Sequence, residues 1–433
     1  MRHAIKLICA TALVAFQFSL FTSAQAQGQT LRLSLAEAQQ YAVEHNASMQ
    51  NADLDMQKAE LERWKTLSSM LPQVKAGIDY QNMCGYEMHM SGFSIPMNPS
   101  GTFSVTASMA FTGAMLVGTM LQDISKQMTD ITRQQTEQST RANVKNVYVS
   151  ILVMEQTVGL LDSSLANLER LAATSQASVD VGAAEQVDAD KLQVQVASMR
   201  NSINSTRRSL QALRNTMLLQ LGADVNAQLE LTTPVEDILN VDNAMQLLGQ
   251  SFDISRNYNY QLLEQNEELA KKNVTMAWMN FSPTLSAYYQ YSKKKYFGAE
   301  GMNMTPPNMV GASLSVPIFT SGSNTAAIKS AKIALQETQN SRRQAEDGLR
   351  VQYNQLCYDL ASALESYDIQ RRNLDVTRRV FDNLTEKYNY GRASSLEVTN
   401  ASTDIISAQS NYIQAVMSVI SAQIELEKLL HNE

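Results

Sequence analysis

Histidine, cysteine and proline are all scarce in this chain of 433 residues, and each scarcity excludes something. Four histidines, one of them in an apolar leader, leave little for a catalytic or zinc centre. Three cysteines include Cys9 of the leader, so Cys84 and Cys357 remain. Cys84 falls in a loop rich in Gly, Pro and Met, whereas Cys357 falls about 35 residues, roughly 50 Å, along a long helix. A disulfide needs Cα atoms within about 7 Å, so these two are not expected to pair. The acidic balance, a net charge of −7, argues against nucleic acid as a partner. After residue 26 no run of about 18 apolar residues occurs, so no membrane-spanning helix is expected.

Residues 1–26 read as a removable signal peptide. Arg2 and Lys6 form a basic start, Leu7 to Phe21 an apolar stretch, and Ala24-Gln25-Ala26 a small-residue cleavage site. Cys9 stands at the wrong end of the apolar stretch for lipid attachment. The chain is therefore expected to be exported.

What is present in abundance is helical periodicity. From Ser321 to Leu430 there is no proline, and Leu360, Ala363, Tyr367, Gln370, Leu374, Thr377, Phe381, Leu384 and Tyr388 recur at alternating steps of three and four. Leu396, Thr399, Thr403, Ile406, Ser410, Ile413, Met417, Ile420 and Ile424 continue the rhythm after a break at Gly391. A mean spacing of about 3.5 keeps one stripe against a partner helix, which is the seam of a coiled coil. Gly391 permits the left-handed backbone that ends a helix, and Ser394 or Ser395 can cap the next. The pattern predicts a helical hairpin on the order of 100 Å long.

The chain also repeats itself at about 209 residues. Asn46 answers Asn257, Pro72 answers Pro283, Phe111-Thr112 answers Phe319-Thr320, and Val181-Gly182 answers Tyr390-Gly391. The first repeat spans 27–222, a linker 223–242, and the second repeat 243–433. Each predicts a first helix (Leu35–Ser69, Asn243–Asn280), two extended segments, a long helix, a glycine tip near 182 or 391, and a returning helix (Ala184–Leu221, Ser394–Leu430). All eight prolines fall outside the proposed helices, where each would cost about 3 kcal/mol.

Four extended segments, about 73–83, 102–112, 284–293 and 309–318, alternate apolar with small or polar residues. Val74, Ala76, Ile78 and Tyr80 alternate with Lys75, Gly77, Asp79 and Gln81, and the other three do likewise. Each approaches the roughly 9–11 residues of a membrane-spanning strand. Two soluble hairpins packed on a helix would show the same alternation. Read as membrane strands, four cannot close a barrel, and unpaired edges in hydrocarbon cost several kcal/mol per group. Oligomerisation is the way out: two chains would supply eight strands and three would supply twelve. The small inward residues Gly77, Ser104, Ser108, Gly311, Ser313 and Ser315 suit a water-filled lumen, which favours three.

A leader, two repeats, paired alternating strands and long helical hairpins together resemble the TolC family of outer-membrane efflux ducts. The most specific residues are Val181-Gly182 followed by Val187-Asp188, and Tyr388-Asn389-Tyr390-Gly391 followed by Ser394, Leu396 and Glu397. The resemblance covers essentially the whole chain after the leader. It implies a mainly α fold with membrane β, in which a homotrimer builds a 12-stranded β-barrel continuous with a periplasmic α-barrel. It also implies outer-membrane localisation, outer-membrane lipid around the barrel, a periplasmic membrane-fusion adaptor and an inner-membrane pump. No cofactor and no catalysis are implied.

Carried over position by position, the resemblance makes Tyr388 and Asp188 a gate pair and Glu397 and Asn400 the constriction. Val181, Gly182, Ala183, Tyr390, Gly391 and Arg392 become the tip that meets the adaptor. Asn400 departs from the usual acid, which suggests one carboxylate ring rather than two, and Ala393 stands where an arginine is usual. Packing alone would also account for Tyr388 on a coiled-coil seam, and a helix N-terminus alone for Glu397.

The cargo expected is small molecules, with protein secretion or Cu/Ag efflux as alternatives and a structural trimeric stalk as the reading of another class. The loop from Met83 to Met90 (Met83, Cys84, Met88, His89, Met90), with Met302, Met304 and Met309, offers soft ligands for Cu(I). In a chain with 22 methionines composition alone can place several there, so no metal site is assigned.

Overall fold

The computed structural model describes residues 30–90, 92–238, 241–297 and 306–431; the expected leader and Met302 and Met304 lie outside them. In chain order the elements are β1 (Thr30–Leu33), α1 (Leu35–His45), α2 (Ala47–Ser68), β2 (Gln73–Gln81), β3 (Glu87–Met90), β4 (Phe93–Pro96), β5 (Ser100–Thr112), α3 (Gly113–Asp180), α4 (Gln186–Leu221), β6 (Gln228–Leu231), α5 (Val235–Ile238), α6 (Val241–Leu248), α7 (Tyr258–Trp278), β7 (Thr284–Tyr296), β8 (Asn308–Ser315), α8 (Ser323–Asn389) and α9 (Ser395–Leu430).

The two long helices have 68 and 67 residues, so each rises about 100 Å. Thr112 starts α3 by accepting from the Met115 N–H. Both helices stop the same way. Ala183 N–H donates to Ser178 O and Gly182 N–H to Val179 O, and Arg392 and Gly391 repeat this on Lys387 and Tyr388. This double bond closes a helix only when the residue after the cap is left-handed, and φ is +75° at Gly182 and +67° at Gly391. By length and composition α3 is also apolar enough to cross a membrane, but in its most apolar stretch 44% is buried inside the chain.

The first helix of each repeat is broken where the sequence predicts a continuous one. Asn46 and Asn257 both leave helical geometry, with ψ of 134° and 125°. Asn46 Oδ1 accepts from Ser48 N–H while its Nδ2 donates to Gln220 O at 2.6 Å. Asn257 Oδ1 accepts from the N–H groups of Asn259 and Tyr260. An asparagine that caps its own helix start competes with helix continuation, which explains both breaks. The landmark that reveals the repeat is thus also the hinge of its first helix.

The helices pack as hairpins, α3 with α4 and α8 with α9, and α2 and α7 lie against the halves of α3 and α8 nearest the strands. Mid-length, Tyr148 is fully buried. Its hydroxyl donates to Leu33 O and accepts from the N–H groups of Thr232 and Thr233, so one side chain ties β1 and β6 to α3. β1 and β6 pair in parallel, an arrangement the sequence reading does not contain. A second core near the tips joins both repeats through Leu168, Leu192, Met199, Phe381, Val398 and Ile405. Cys84 and Cys357 are both free thiols.

The remaining strands form a four-stranded antiparallel sheet in the order β2-β5-β7-β8. Its bounds differ from the predicted ones at the loop ends: β5 and β7 extend each other to the pair Ser100–Tyr296, while β2 stops at Gln81. β8 ends at Ser315 rather than 318, before Pro317, which has no N–H to give to a ladder. A further hairpin, β3 with β4, fills the Met-rich loop of the first repeat.

Candidate pore and gate

The register of the sheet sorts its side chains into two faces. One face runs Val74–Ala107–Tyr289–Val310, Ala76–Val105–Tyr291 and Phe111–Leu285–Leu314 across the strands. The other runs Gln73–Ser108–Tyr288–Gly311, Gly77–Ser104–Ser292 and Ala110–Ser286–Ser313. No strand slips by one residue, which would exchange the faces. On the apolar face Ile78 is 82% and Val310 80% exposed, a display suited to lipid. On the polar face Ser286 and Ser313 share a hydrogen bond of 2.7 Å. Gly311 is required there: a Cβ would stand 2.6 Å from the Tyr288 ring, which lies across it. Both outer edges of the sheet, on β2 and β8, are unpaired within the chain.

At the far ends of the helical hairpins lie the residues the sequence singles out. Val181, Gly182, Ala183, Tyr390, Gly391 and Arg392 are all exposed. Val181 and Tyr390 each precede a tip glycine, and Val187 and Leu396 each follow it by five residues. All four display more than half of their surface, so both tips present the same pair of apolar side chains.

Asp188 is the third residue of α4 and its carboxylate accepts from the Ser395 hydroxyl at 2.5 Å, across the two repeats. Lys191 Nζ approaches the same oxygen at 3.4 Å. These contacts, the serine bond first and then the lysine, hold the carboxyl below the usual aspartate range despite opposing desolvation. Ser395 is buried, and the sequence reading offers it only as a cap; the cap is its neighbour Ser394. Because Asp188 and Glu397 both lie six residues beyond their glycines, the repeat itself pointed to the start of α9 as the place to seek a donor.

Tyr388, expected beside Asp188, is half-buried against the core shared by the tips, one turn beyond Leu384 on the same helix. Among the described residues its hydroxyl has no hydrogen-bond partner, and Asp188 turns to Ser395 instead. Glu397 is exposed, but its carboxylate folds back on the Ser394 N–H at 2.7 Å and hydroxyl at 2.9 Å. The backbone bond, then the hydroxyl, lowers its pKa, with a smaller contribution from Lys387. Asn400 is exposed one turn further on. Behind the gate, Gln195 Nε2 donates to Ser402 Oγ at 3.2 Å, a buried polar tie between the repeats that the sequence reading misses.

Among the described residues no cluster of His, Cys, Asp or Glu could hold a metal ion.

Comparisons with known proteins agree with this geometry. The family model described as outer membrane efflux protein matches residues 38–223 and 254–432, one match per repeat. The outer membrane efflux protein BepC of Brucella suis biovar 1 is 22% identical over 67% of this chain. That match spans 62% of BepC, less than two thirds of its length. The outer membrane protein TolC of Escherichia coli K12 is 20% identical over 93% of this chain and 80% of its own. The crystal structure of the Campylobacter jejuni CmeC outer membrane channel superposes with a TM-score of 0.73 at 13% identity, covering 92% of this chain and 85% of that one.

Proposed function

Because the chain belongs to the outer membrane efflux protein family, whose members are outer-membrane channels with periplasmic helical tunnels, we propose that it is the exit duct of a tripartite system that exports small molecules. Three copies close a twelve-stranded barrel, their hairpins line a tunnel about 100 Å long, and a periplasmic adaptor and inner-membrane pump engage the tips. The observation that carries this reading is the unbroken two-faced register of the sheet. Such a sheet, open at β2 and β8, has both a lipid coat and a water-filled lumen only when other copies complete it. A structural stalk would need the outward face alone, whereas Gly77, Ser104, Ser108, Gly311, Ser313 and Ser315 on the inward one favour a duct.

The tip is the gate of this duct. Asp188 and Ser395 latch α4 to α9 within each copy, Tyr388 packs behind them, and Glu397 sets the charge of the constriction with Asn400 beside it. The exposed pairs Val181 with Val187 and Tyr390 with Leu396 supply the apolar contact for the adaptor. Native mass of the purified protein combined with single-channel conductance in planar bilayers tests the reading. A trimer with a measurable but mostly closed conductance is expected, and a conducting monomer or dimer would overturn it.

A further inference from the structure

The run Lys293-Lys294-Lys295 lies at the loop end of β7, farthest from the helices, which in the barrel reading is the cell-exterior end. The two-residue period of the strand splits it between faces. Lys294 turns to the polar face, its Nζ 4.9 Å from the centroid of the Tyr296 ring. Lys293 and Lys295 turn to the apolar face and are exposed. Lys293 pairs in register with Phe103 and Lys295 with Gly101.

Among the described residues of the four sheet strands, these two are the sole charged side chains on the lipid-facing side. No carboxylate forms an ion pair with either among the described residues. The surface around them is aromatic. The ring of Phe297 fills the space a side chain at Gly101 would take, 3.2 Å from the position of its Cβ, and meets Tyr80 at a ring-centroid distance of 5.9 Å. Aromatic rings in such a belt mark the boundary between hydrocarbon and headgroups.

Height along the strand agrees. From Leu285, on the lowest outward row, to Lys293 the strand rises about 27 Å, and at a tilt near 40° that is roughly 20 Å of barrel height. The apolar band of an outer-membrane barrel is about 25 Å tall, so both lysines stand at its upper edge. β7 is an inner strand of the sheet; its ladder to β8 ends at Tyr291–Asn308, and at Lys293 and Lys295 its strand partner among the described residues is β5 of its own chain.

We propose that Lys293 and Lys295 form a binding site for the phosphate of an outer-leaflet glycolipid headgroup, one site on each copy around the barrel. The inference rests on the barrel reading given above. Two ammonium groups on alternate residues, about 7 Å apart along the strand, can flank one phosphate, while Tyr80, Phe297 and Phe103 pack against its sugar and upper acyl chains. Long lysine stems lie along the apolar wall and bring the charge to headgroup level.

The test is native mass spectrometry of the full-length protein, purified in detergent and incubated with diphosphorylated lipid A or with the same lipid stripped of phosphate. The parent trimer is expected to retain the phosphorylated form preferentially. Lys293→Gln with Lys295→Gln should lose that preference, by about fivefold for each lysine removed, and Lys293→Arg with Lys295→Arg should keep it. Lys294→Gln, the same charge change on the lumen side, should bind as the parent does. Equal retention of both lipids by the parent, or an equal loss in the Lys294 variant, overturns the site while leaving the trimer in view. A spectrum without trimer overturns the barrel reading and the site with it.

Discussion

The two helix tips are built on one plan and end in different chemistry. In each repeat an acid sits six residues after the tip glycine, as the third residue of the returning helix: Asp188 in α4 and Glu397 in α9. Their partners differ because the caps differ. Ser394 offers a hydroxyl and a free N–H, so Glu397 closes a capping box and points back at the start of its own helix. Glu185 caps α4 without any side-chain bond, so no cap hydroxyl claims Asp188, which crosses to Ser395 of the other repeat. One residue at the cap therefore decides whether an acid is spent locally or links two hairpins. The repeat that lacks a good cap is the one that supplies the latch.

The largest expected effect comes from breaking that link. Hydrogen bonds to a charged group contribute about 1.5–3 kcal/mol, and the low end applies here because the Asp188 side chain is 40% exposed. Asp188→Ala and Ser395→Ala should each loosen three latches in a trimer, raising the conductance of the purified channel and admitting large antibiotics to intact cells. The double change should add little to either single one, since both remove the same bond. Additive effects would mean that the two residues act apart. Acid should do the same reversibly. With its folded pKa depressed, the stabilisation from Asp188 is complete above the ordinary carboxylate range and is lost as pH falls through the lowered value. Opening on acidification in the parent, but not in Asp188→Ala, checks the sign.

A subtler change makes the two tips alike. Glu185→Ser would give α4 the cap that α9 already has, a gain of about 1 kcal/mol in helix stability. Asp188 would then turn inward to its own cap and release Ser395, so the protein should become more stable yet leakier. Thermal unfolding and conductance measured on the same preparation read both, and a stabilised, tightly closed channel would contradict the link. The converse, Ser394→Ala, removes the hydroxyl half of that cap and leaves Glu397 held by the backbone N–H alone. Cation selectivity, read as reversal potential, should rise there and fall in Glu397→Gln, while Asn400→Asp adds a second acid one turn away and should raise it further. Reversal potentials unmoved in all three would place these side chains outside the conduction path.

Much of this architecture is legible from residue spacing, since seams, strand alternation and tip glycines are local patterns that repeat. The faces of the sheet follow from a period of two that no bulge interrupts. What stays hidden depends on contacts across the chain. The breaks at Asn46 and Asn257 need a side chain to prefer its own backbone, and at Asn46 the second bond goes to Gln220 of another helix. The parallel pair of β1 and β6 is held by Tyr148, 115 residues after Leu33 and 84 before Thr232, and four-residue strands carry too little pattern to announce themselves. Asp188 was readable as a gate residue by its place after Gly182. Its partner was not, because Ser394 and Ser395 are identical in type and only the backbone shows which one caps and which one turns inward.

Tyr388 gives the smallest expected effect and the sharpest test of that last distinction. Family resemblance pairs its hydroxyl with Asp188, whereas in the chain its ring packs against the core shared by the tips and the hydroxyl finds no partner among the described residues. If the ring matters and the hydroxyl does not, Tyr388→Phe should leave the closed conductance near that of the parent. Tyr388→Ala should open it, because removing a half-buried aromatic leaves a gap in the core shared by the two repeats, at about 2–3 kcal/mol for such a site. A hydroxyl that binds Asp188 in the closed trimer would reverse the order, with Tyr388→Phe as leaky as Ser395→Ala. Conductance of the four variants Tyr388→Phe, Tyr388→Ala, Ser395→Ala and Asp188→Ala, recorded under one set of conditions, decides which hydroxyl holds the gate.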